Sequence, residues 1–305
     1  MQYGFGVDLG GTTVKLAFLD TAGNMLDKWE IPTNKEGGGS HILPDIAAAV
    51  NGYIEEKKLS RESLVGVGIG VPGPVRPNGT VNGCVNLGWG EKAVAEELSK
   101  LTGLLVKAGN DATVAALGEC WKGAGAGYQN MIFATLGTGV GGGIVVGGNV
   151  LHGAHGAAGE IGHVTVEQNE TECCGCGRKG CIEQYGSATG IVRLAKKALV
   201  LSGKEDLTCK DVFDAAAQGD EGAKAVLEQV YGYLGQFFAN LSCVTDPEVI
   251  VLGGGVSKAG QTLLDGVEKA YQARCFSGVR EVRFALATLG NDAGAYGAFK
   301  LVLGG

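Results

Sequence analysis

The same short glycine-threonine turn occurs twice in this chain, and each copy lies between two runs typical of β-strands. The first copy spans residues 7–12 and the second, 127 positions further on, spans 134–139. In each half, three strand-like runs are followed by alternating helix-like and strand-like runs. This repetition indicates an internal duplication of a βββαβα unit. It predicts an α/β protein of two lobes, with one strand-turn-strand hairpin from each lobe pointing into a cleft between them.

Hydrophobic spacing supports this plan in both halves of the chain. First-half strands are predicted at 3–8, 14–19, 25–31, 65–71 and 104–106, with helices around 46–54 and 94–101 and from 112. Second-half strands are predicted at 131–135, 143–146, 163–167, 249–252 and 282–286, with helices around 226–241, around 263–271 and near the end. We assign residues 1–118 and 290–305 to a small lobe, and residues 119–289 to a large lobe that carries a cysteine-rich motif.

Charge and composition exclude several classes of function. Lys and Arg number 25 and Asp and Glu 32, and the resulting formal net charge of −7 has the wrong sign for gathering nucleic acid or anionic lipid. The apolar stretch 131–159 is interrupted by glycines and histidines, so we expect no membrane span. No basic leader precedes the first predicted strand, so we expect a cytoplasmic protein. A small polar or phosphorylated partner is favoured.

The repeated turn has the composition of a phosphate-binding hairpin. Gly10 and Gly11 lack Cβ atoms, so backbone N–H groups can converge on phosphate oxygens, and Thr12 adds a hydroxyl donor. Asp8 ends the preceding strand and could hold Mg²⁺, a cation that prefers oxygen ligands and keeps bound water. Taken alone, these residues could equally form an ordinary tight hairpin. The second copy favours the phosphate interpretation.

The second half offers the matching nucleotide surface. Gly137, Thr138 and Gly139 form its hairpin, and Gly254 and Gly255 follow a buried strand-like run. Bare glycine backbone suits a flat adenine ring, although a simple strand-to-helix turn has the same composition.

Nine cysteines, an odd number, argue against a disulfide framework. Cys174, Cys176 and Cys181 form a C-x-C-x₄-C pattern, and His163 lies eleven positions before the first of them. Three thiolates and one imidazole make a closed tetrahedral Zn²⁺ site, which is structural because no coordination position stays open. The adjacent thiol of Cys173 could replace that of Cys174, and four unligated cysteines in a loop remain the alternative.

Asn110 and Asp111 stand between a predicted strand and an alanine-rich helix. The simplest explanation of Asp111 at this place is a helix N-cap.

Seven motifs, in order and nearly end to end, resemble the ROK family (repressor, open reading frame, kinase), whose kinases belong to the actin-like, ribonuclease-H-like ATPase superfamily. Within the family the sequence is most similar to the bacterial glucokinases. The motifs are Asp8-Leu9-Gly10-Gly11-Thr12, Val71-Pro72-Gly73-Pro74, Asn86-Leu87-Gly88-Trp89, Asn110-Asp111-Ala112, Leu136-Gly137-Thr138-Gly139, Gly159-Glu160-Ile161-Gly162-His163 and the run 174–183 from Cys174 to Glu183.

The resemblance implies ATP-dependent phosphorylation of a hexose, most simply glucose to glucose 6-phosphate, with ATP, Mg²⁺ and Zn²⁺ as cofactors. It makes Asp111 the general base and Asn110 a ligand of a sugar hydroxyl. It implies the zinc ligands His163, Cys174, Cys176 and Cys181. The further sugar ligands that it implies are Gly73, Asn86, Glu160, His163 and Glu183. It also implies a homodimer or homotetramer.

Other functions remain open at this stage. N-acetylmannosamine, mannose, allose or fructose could replace glucose, because spacing does not resolve hydroxyl placement. A sugar-sensing ROK regulator is less expected, because only seven residues precede Asp8, where such regulators carry a helix-turn-helix. An actin-like filament or chaperone-type ATPase would need neither the cysteine motif nor its glutamates.

Overall fold

The computed structural model describes residues 2–304 and divides them into two compact units. The first contains the described residues up to Gln129, Gly143–Gly159, and those from Leu289 onward. The second contains Asn130–Gly142 and Glu160–Thr288. The boundaries of these units differ from those of the two predicted lobes. The first compact unit extends past residue 118 and also includes Gly143–Gly159.

Most of the predicted strands and helices are present, in the order that the hydrophobic pattern predicts. The strands are β1 (Tyr3–Leu9), β2 (Thr13–Asp20), β3 (Met25–Pro32), β4 (Leu64–Val71), β5 (Val81–Cys84), β6 (Trp89–Lys92), β7 (Val106–Asn110), β8 (Met131–Leu136), β9 (Val140–Val146), β10 (Asn149–Val150), β11 (Val249–Gly253) and β12 (Arg283–Leu286). The helices are α1 (Glu36–Gly39), α2 (Ile42–Glu56), α3 (Val94–Thr102), α4 (Asp111–Lys122), α5 (Glu183–Gly186), α6 (Ala188–Lys197), α7 (Cys209–Ala217), α8 (Glu221–Thr245), α9 (Gln261–Gln272) and α10 (Ala293–Val302).

Two five-stranded sheets share one topology. Their strand orders are β3-β2-β1-β4-β7 and β10-β9-β8-β11-β12, so each position in the first sheet has a counterpart in the second. In the first sheet β1, β2 and β3 are antiparallel, whereas β4 and β7 run parallel to β1. This duplicated βββαβα plan is the actin-like ATPase fold, as the sequence predicts.

The glycines of the first sheet are explained by how closely α10 approaches it. A Cβ on Gly6 would overlap the carbonyl of Ala295, and a Cβ on Gly68 would overlap that of Ala298. The opposite face of the sheet carries Phe5, Val7 and other apolar side chains, which pack in one buried cluster with α2 and α3. A strand that is covered on both faces has a nearly continuous apolar sequence, as β4 does.

The predicted third strand of the second half is wrong. Residues 163–167 begin in the short 3₁₀ turn Ile161–His163 and make one isolated bridge, from Thr165 to Cys181. The third strand is β10, a two-residue strand paired with β9. The apolar alternation of 163–167 therefore reflects packing onto the cysteine loop. Likewise, the predicted strand 104–106 lies too early, because α3 ends at a left-handed Gly103 and β7 begins at Val106.

The long stripe predicted at 226–241 lies within α8, and its apolar side chains, from Val226 to Phe238, are buried. Within residues 2–304 no helix is both long and apolar enough to cross a membrane.

Candidate active site

In the first unit the predicted site residues gather where three parallel strands end. Asp8 of β1 is in register with Gly70 of β4, and Val71 of β4 is in register with Asn110 of β7. Neighbouring strands lie about 4.8 Å apart, so Asp8 and Asn110 are separated by about 10 Å across the sheet. The sheet therefore brings the metal-binding candidate and the Asn110-Asp111 pair to one edge.

Asn110 connects two of these strand ends. Its Oδ1 accepts the Thr113 N–H at 3.0 Å and caps α4, and its Nδ2 donates to the Gly73 carbonyl at 3.1 Å. Gly73 has φ +95°, a conformation that favours glycine. The cap of α4 is therefore Asn110, whereas Asp111 is the first helical residue and its Oδ1 accepts the N–H of Ala112 at 2.7 Å.

Asp8 lies beside the first glycine hairpin in a partly buried position. Lys15 Nζ is 3.5 Å from its Oδ2. Burial raises the pKa of the Asp8 carboxyl, and the neighbouring Lys15 ammonium acts in the opposite direction. The hairpin closes through the bond from Gly10 N–H to the Thr13 carbonyl at 3.0 Å. A Cβ built on Gly11 would meet nothing within 4 Å, so this glycine faces open space.

Asn86 lies at the tip of the β5–β6 hairpin, a hairpin that the sequence pattern does not predict. Strand β5 of this hairpin packs beside the Gly73 loop, where a Cβ on Gly73 would be 2.9 Å from the Gly83 carbonyl. The side chain of Asn86 is exposed. The hairpin is anchored by Trp89, whose Nε1 donates to the Gly39 carbonyl at 3.0 Å. Val85, next to Asn86, is 96% exposed, which leaves this tip open to a ligand.

In the second unit the predicted nucleotide residues lie together. Gly137 N–H donates to the Gly139 carbonyl at 2.9 Å and closes the second hairpin. Gly254 has φ +83°, and a Cβ there would be 2.6 Å from the Leu136 backbone. Gly254 therefore fits against the start of the hairpin only as glycine, and both it and Gly255 are exposed.

The four predicted metal ligands form one cluster. The ligand atoms of His163, Cys174, Cys176 and Cys181 all lie within 4.8 Å of one another. The Cys176 and Cys181 sulfurs are 3.7 Å apart, and the Cys174 sulfur is 3.9 Å from His163 Nδ1. Two sulfurs bound tetrahedrally at about 2.3 Å from zinc would be about 3.8 Å apart, so the donor set fits that ion. Cys174 is buried within the cluster, whereas Cys173 is exposed and outside it.

The thiols of the cluster differ in acidity. Burial raises the pKa of Cys174 to about 12 and also raises the pKa of Cys181. A hydrogen bond from the backbone N–H of Arg178 lowers the pKa of Cys176. A bound cation would favour the thiolate forms of all three.

The two predicted glutamates have different surroundings. Glu183 Oε2 accepts the Val140 N–H at 3.0 Å, and its Oε1 is 3.4 Å from the Cys174 sulfur. Glu183 thus joins the cysteine cluster to the strand that leaves the second glycine hairpin. Glu160 is exposed, and its carbonyl accepts the His163 N–H at 3.2 Å.

Sequence reasoning missed a cluster of polar side chains next to the cysteine loop, formed by Glu170, Glu172, Tyr185 and Arg193. Arg193 Nη1 lies 2.8 Å from Glu170 and 3.1 Å from Glu172, and the Tyr185 hydroxyl donates to Glu170 at 2.7 Å. Burial acts to raise the pKa of Glu170, but these hydrogen bonds outweigh it and lower that pKa to about 2. Only the charge of these side chains is visible in the sequence, and charge alone does not show that they meet.

Two glycine hairpins, a carboxylate at a strand end and a cysteine-histidine cluster on a duplicated βββαβα fold define a class of protein, the sugar kinases with the actin-like ATPase fold. A family model described as the ROK family matches residues 4–304. The chain belongs to the ROK family.

Individual relatives are similar over almost the whole chain. The glucokinase of Halalkalibacterium halodurans is 48% identical over 310 residues, covering 97% of this chain and 94% of that protein. The crystal structure of a ROK family glucokinase from Streptomyces griseus in complex with glucose and AMPPNP has a TM-score of 0.78 and 33% identity, and covers 99% of this chain and 100% of that one. The ROK hexokinase of Thermus thermophilus has a TM-score of 0.85 and 31% identity, and covers 100% of both chains.

Proposed function

We propose that this protein is an ATP-dependent hexokinase that converts glucose to glucose 6-phosphate. Family membership and the similarity to glucokinases support the reaction class and the substrate. The observation that carries the mechanism is the position of Asp111, directly after β7 and beside Asn110, which takes the helix cap. Because Asn110 fills the capping role, Asp111 is not needed for it.

Asp111 acts as the general base in this proposal. It accepts the proton of the 6-hydroxyl as that oxygen attacks the γ-phosphorus of ATP in line, while the bond from phosphorus to the bridging oxygen of ADP breaks. Asn110 orients a neighbouring hydroxyl. Its amide is already fixed by Thr113 and Gly73, so its orientation is set before sugar binds.

The proposal assigns further residues to the binding of sugar hydroxyls. They are Gly73, Asn86, Glu160, His163 and Glu183, as the family resemblance implies. Carboxylates accept hydrogen bonds from sugar hydroxyls, and each such charge-assisted bond contributes about 1.5–3 kcal/mol. His163 presents Nδ1 to the Cys174 sulfur, so Nε2 is the nitrogen left for the sugar.

ATP is bound by the two hairpins and by the glycine turn of the second unit. Gly10, Gly11 and Thr12 of the first hairpin contact phosphate oxygens, as do Gly137, Thr138 and Gly139 of the second. Gly254 and Gly255 lie against the adenine. Asp8 would hold Mg²⁺, and when bound this ion would supply charge neutralisation at the phosphates.

Zinc is held by His163, Cys174, Cys176 and Cys181 and has a structural role. Four protein ligands leave no open position for water, so its contribution is to fix the loop. The loop carries His163 and ends next to Glu183, so loss of zinc weakens sugar recognition.

The reaction is tested by a coupled ADP-release assay over a panel of glucose, mannose, allose, fructose and N-acetylmannosamine. We expect the largest kcat/KM for glucose, and turnover without sugar that is slower by orders of magnitude. Equal, sugar-independent ATP hydrolysis would overturn the kinase proposal, and a preference for another hexose would overturn the glucose assignment. A homodimer or homotetramer stays our prediction, and light scattering on the purified protein measures it.

A further inference from the structure

The second glycine hairpin is held from outside by one short segment of the chain, residues 183–189. The N–H of Ala188 donates to the Gly137 carbonyl at 2.8 Å. The hydroxyl of Thr189 donates to the Thr138 carbonyl at 2.7 Å. Two successive carbonyls of the hairpin are therefore fixed by two successive residues at the start of α6.

The same segment limits what can occupy the next hairpin position. A Cβ built on Gly139 would overlap the Glu183 carboxylate, whose Oε2 accepts the N–H of Val140. Contacts from residues 183–189 thus reach each of the four positions from Gly137 to Val140. All of these contacts lie within the second compact unit.

A buried serine lies next to the Thr189 hydroxyl. Ser187 is fully buried, caps α6 by accepting the Gly190 N–H at 2.9 Å, and donates to the Glu183 carbonyl at 2.6 Å. Its oxygen is also 3.0 Å from the Thr189 hydroxyl oxygen. Thr189 is exposed, and its hydroxyl gives its one proton to the Thr138 carbonyl.

Because a peptide group is planar, these contacts to the two carbonyls also fix the direction of the N–H groups that follow them. The C=O of one residue and the N–H of the next point in opposite directions across a trans peptide. Fixing the Gly137 and Thr138 carbonyls toward residues 183–189 therefore points the Thr138 and Gly139 N–H groups away from them. In residues 2–304 the structure records no protein acceptor for either N–H.

We infer that Thr189 is a positioning residue for the nucleotide: its hydroxyl fixes the Thr138 peptide, so that the hairpin N–H groups are pre-aimed at the phosphate oxygens of ATP. The inference rests on the proposed function, because it assumes that this hairpin binds phosphate. It assigns to the segment after the cysteine motif a role in nucleotide affinity that is separate from sugar recognition. Donors that are already oriented bind more tightly, because less ordering accompanies binding.

The test compares Thr189→Val, which keeps the shape and removes the hydroxyl, with Thr189→Ser, which keeps the hydroxyl. Calorimetry with a non-hydrolysable ATP analogue and Mg²⁺ measures nucleotide Kd, and steady-state assays measure the two KM values. One lost hydrogen bond predicts a rise of about three- to tenfold in Kd and in KM for ATP for Thr189→Val. KM for glucose should stay within about twofold, and Thr189→Ser should resemble the wild type.

Unchanged nucleotide affinity in Thr189→Val would overturn the inference, as would an equal rise in KM for both substrates or the same defect in Thr189→Ser. We expect the Tm of Thr189→Ser to equal that of the wild type and the Tm of Thr189→Val to fall by no more than about 2–4 °C, because Thr189→Val loses one hydrogen bond at an exposed residue. If the proposed function itself is wrong, the wild-type protein will neither bind the ATP analogue nor phosphorylate any hexose.

Discussion

The Nδ2 group of Asn110 donates a hydrogen bond to the carbonyl of Gly73 at 3.1 Å and thereby ties the start of α4 to the loop that follows β4. Its Oδ1 caps α4 through Thr113. We expect Asn110→Ala to lower the free energy of unfolding by about 1–2 kcal/mol, because it removes a helix cap and leaves backbone groups unsatisfied. Urea unfolding measures the loss. Asn169→Ala, in an exposed loop, is the control, and equal midpoints for the two variants would contradict the capping role.

Asp111→Asn tests the proposed general base. The substitution keeps the shape of the side chain but removes its capacity to take a proton, so we expect kcat to fall by at least about 10²-fold. Because Asn110 is the cap, the Tm should change little. The coupled ADP-release assay measures kcat, and near-normal turnover would show that another group accepts the proton.

The cysteine cluster provides a matched pair of variants. We expect elemental analysis to find about one zinc per chain in the wild type and in Cys173→Ser, because Cys173 lies outside the cluster. Cys174→Ser should lose most of the metal and show a higher KM for glucose, because the loop that carries His163 loses its fixed geometry. Metal retained in Cys174→Ser and lost in Cys173→Ser would reverse the ligand assignment. Absence of zinc from the intact wild type would remove the metal argument.

Gly11→Ala separates folding from nucleotide binding. A Cβ at Gly11 meets nothing within 4 Å, and this residue does not have a positive φ. We therefore expect an unchanged Tm. In the proposal that open space is taken by phosphate, so nucleotide Kd should rise by about tenfold or more. Calorimetry and thermal unfolding on the same sample check both parts, and unaltered nucleotide binding would exclude a close approach of phosphate to Gly11.

Asp8 makes stability depend on pH in a defined direction. Burial raises its pKa above the ordinary value of 3.8, so the folded chain holds this proton more tightly than the unfolded chain. The associated stability is present at low pH and is lost as pH rises from about 3.8 through the raised pKa. We expect Asp8→Asn to lack this loss, and to be more stable than the wild type at pH 7 without Mg²⁺ and ATP.

Urea unfolding between pH 3.5 and about 8 compares the Asp8→Asn and wild-type proteins, and a constant difference across that range would contradict the shift. Activity supplies the second measurement. Since Asp8 is proposed to hold Mg²⁺, the more stable variant should have a much lower kcat.

Local patterns predicted most of the strands and helices and indicated the candidate site residues. The duplicated hairpin at 7–12 and 134–139 is visible because a strand, a glycine turn and a second strand are adjacent in sequence. The ligand spacing of Cys174, Cys176 and Cys181 is equally local. The buried stripe of α8 follows from a 3.6-residue period that any long packed helix must show.

Predictions failed or stayed open where distant groups determine the outcome. The segment 163–167 has the alternation of a strand, but its neighbour is the cysteine loop rather than the edge of the sheet. Adjacent cysteines at 173 and 174 cannot be ranked by spacing, because only the folded loop turns one of them inward. In the same way, Asn and Asp are both residue types that cap helices. Asn110 is the cap because its backbone is extended, whereas Asp111 is already part of the helix.

The sequence by itself determined the duplicated α/β plan, the two glycine hairpins, the spacing of the cysteine motif and the placing of Asn110-Asp111 at a strand end, because each follows from a local pattern along the chain. Only the tertiary structure decided that α10 packs directly on the glycines of the first sheet, that Glu183 reaches Val140 and that Thr189 holds the Thr138 carbonyl. Those contacts join residues far apart in sequence, and their distances are set by the packing of whole elements rather than by any local preference.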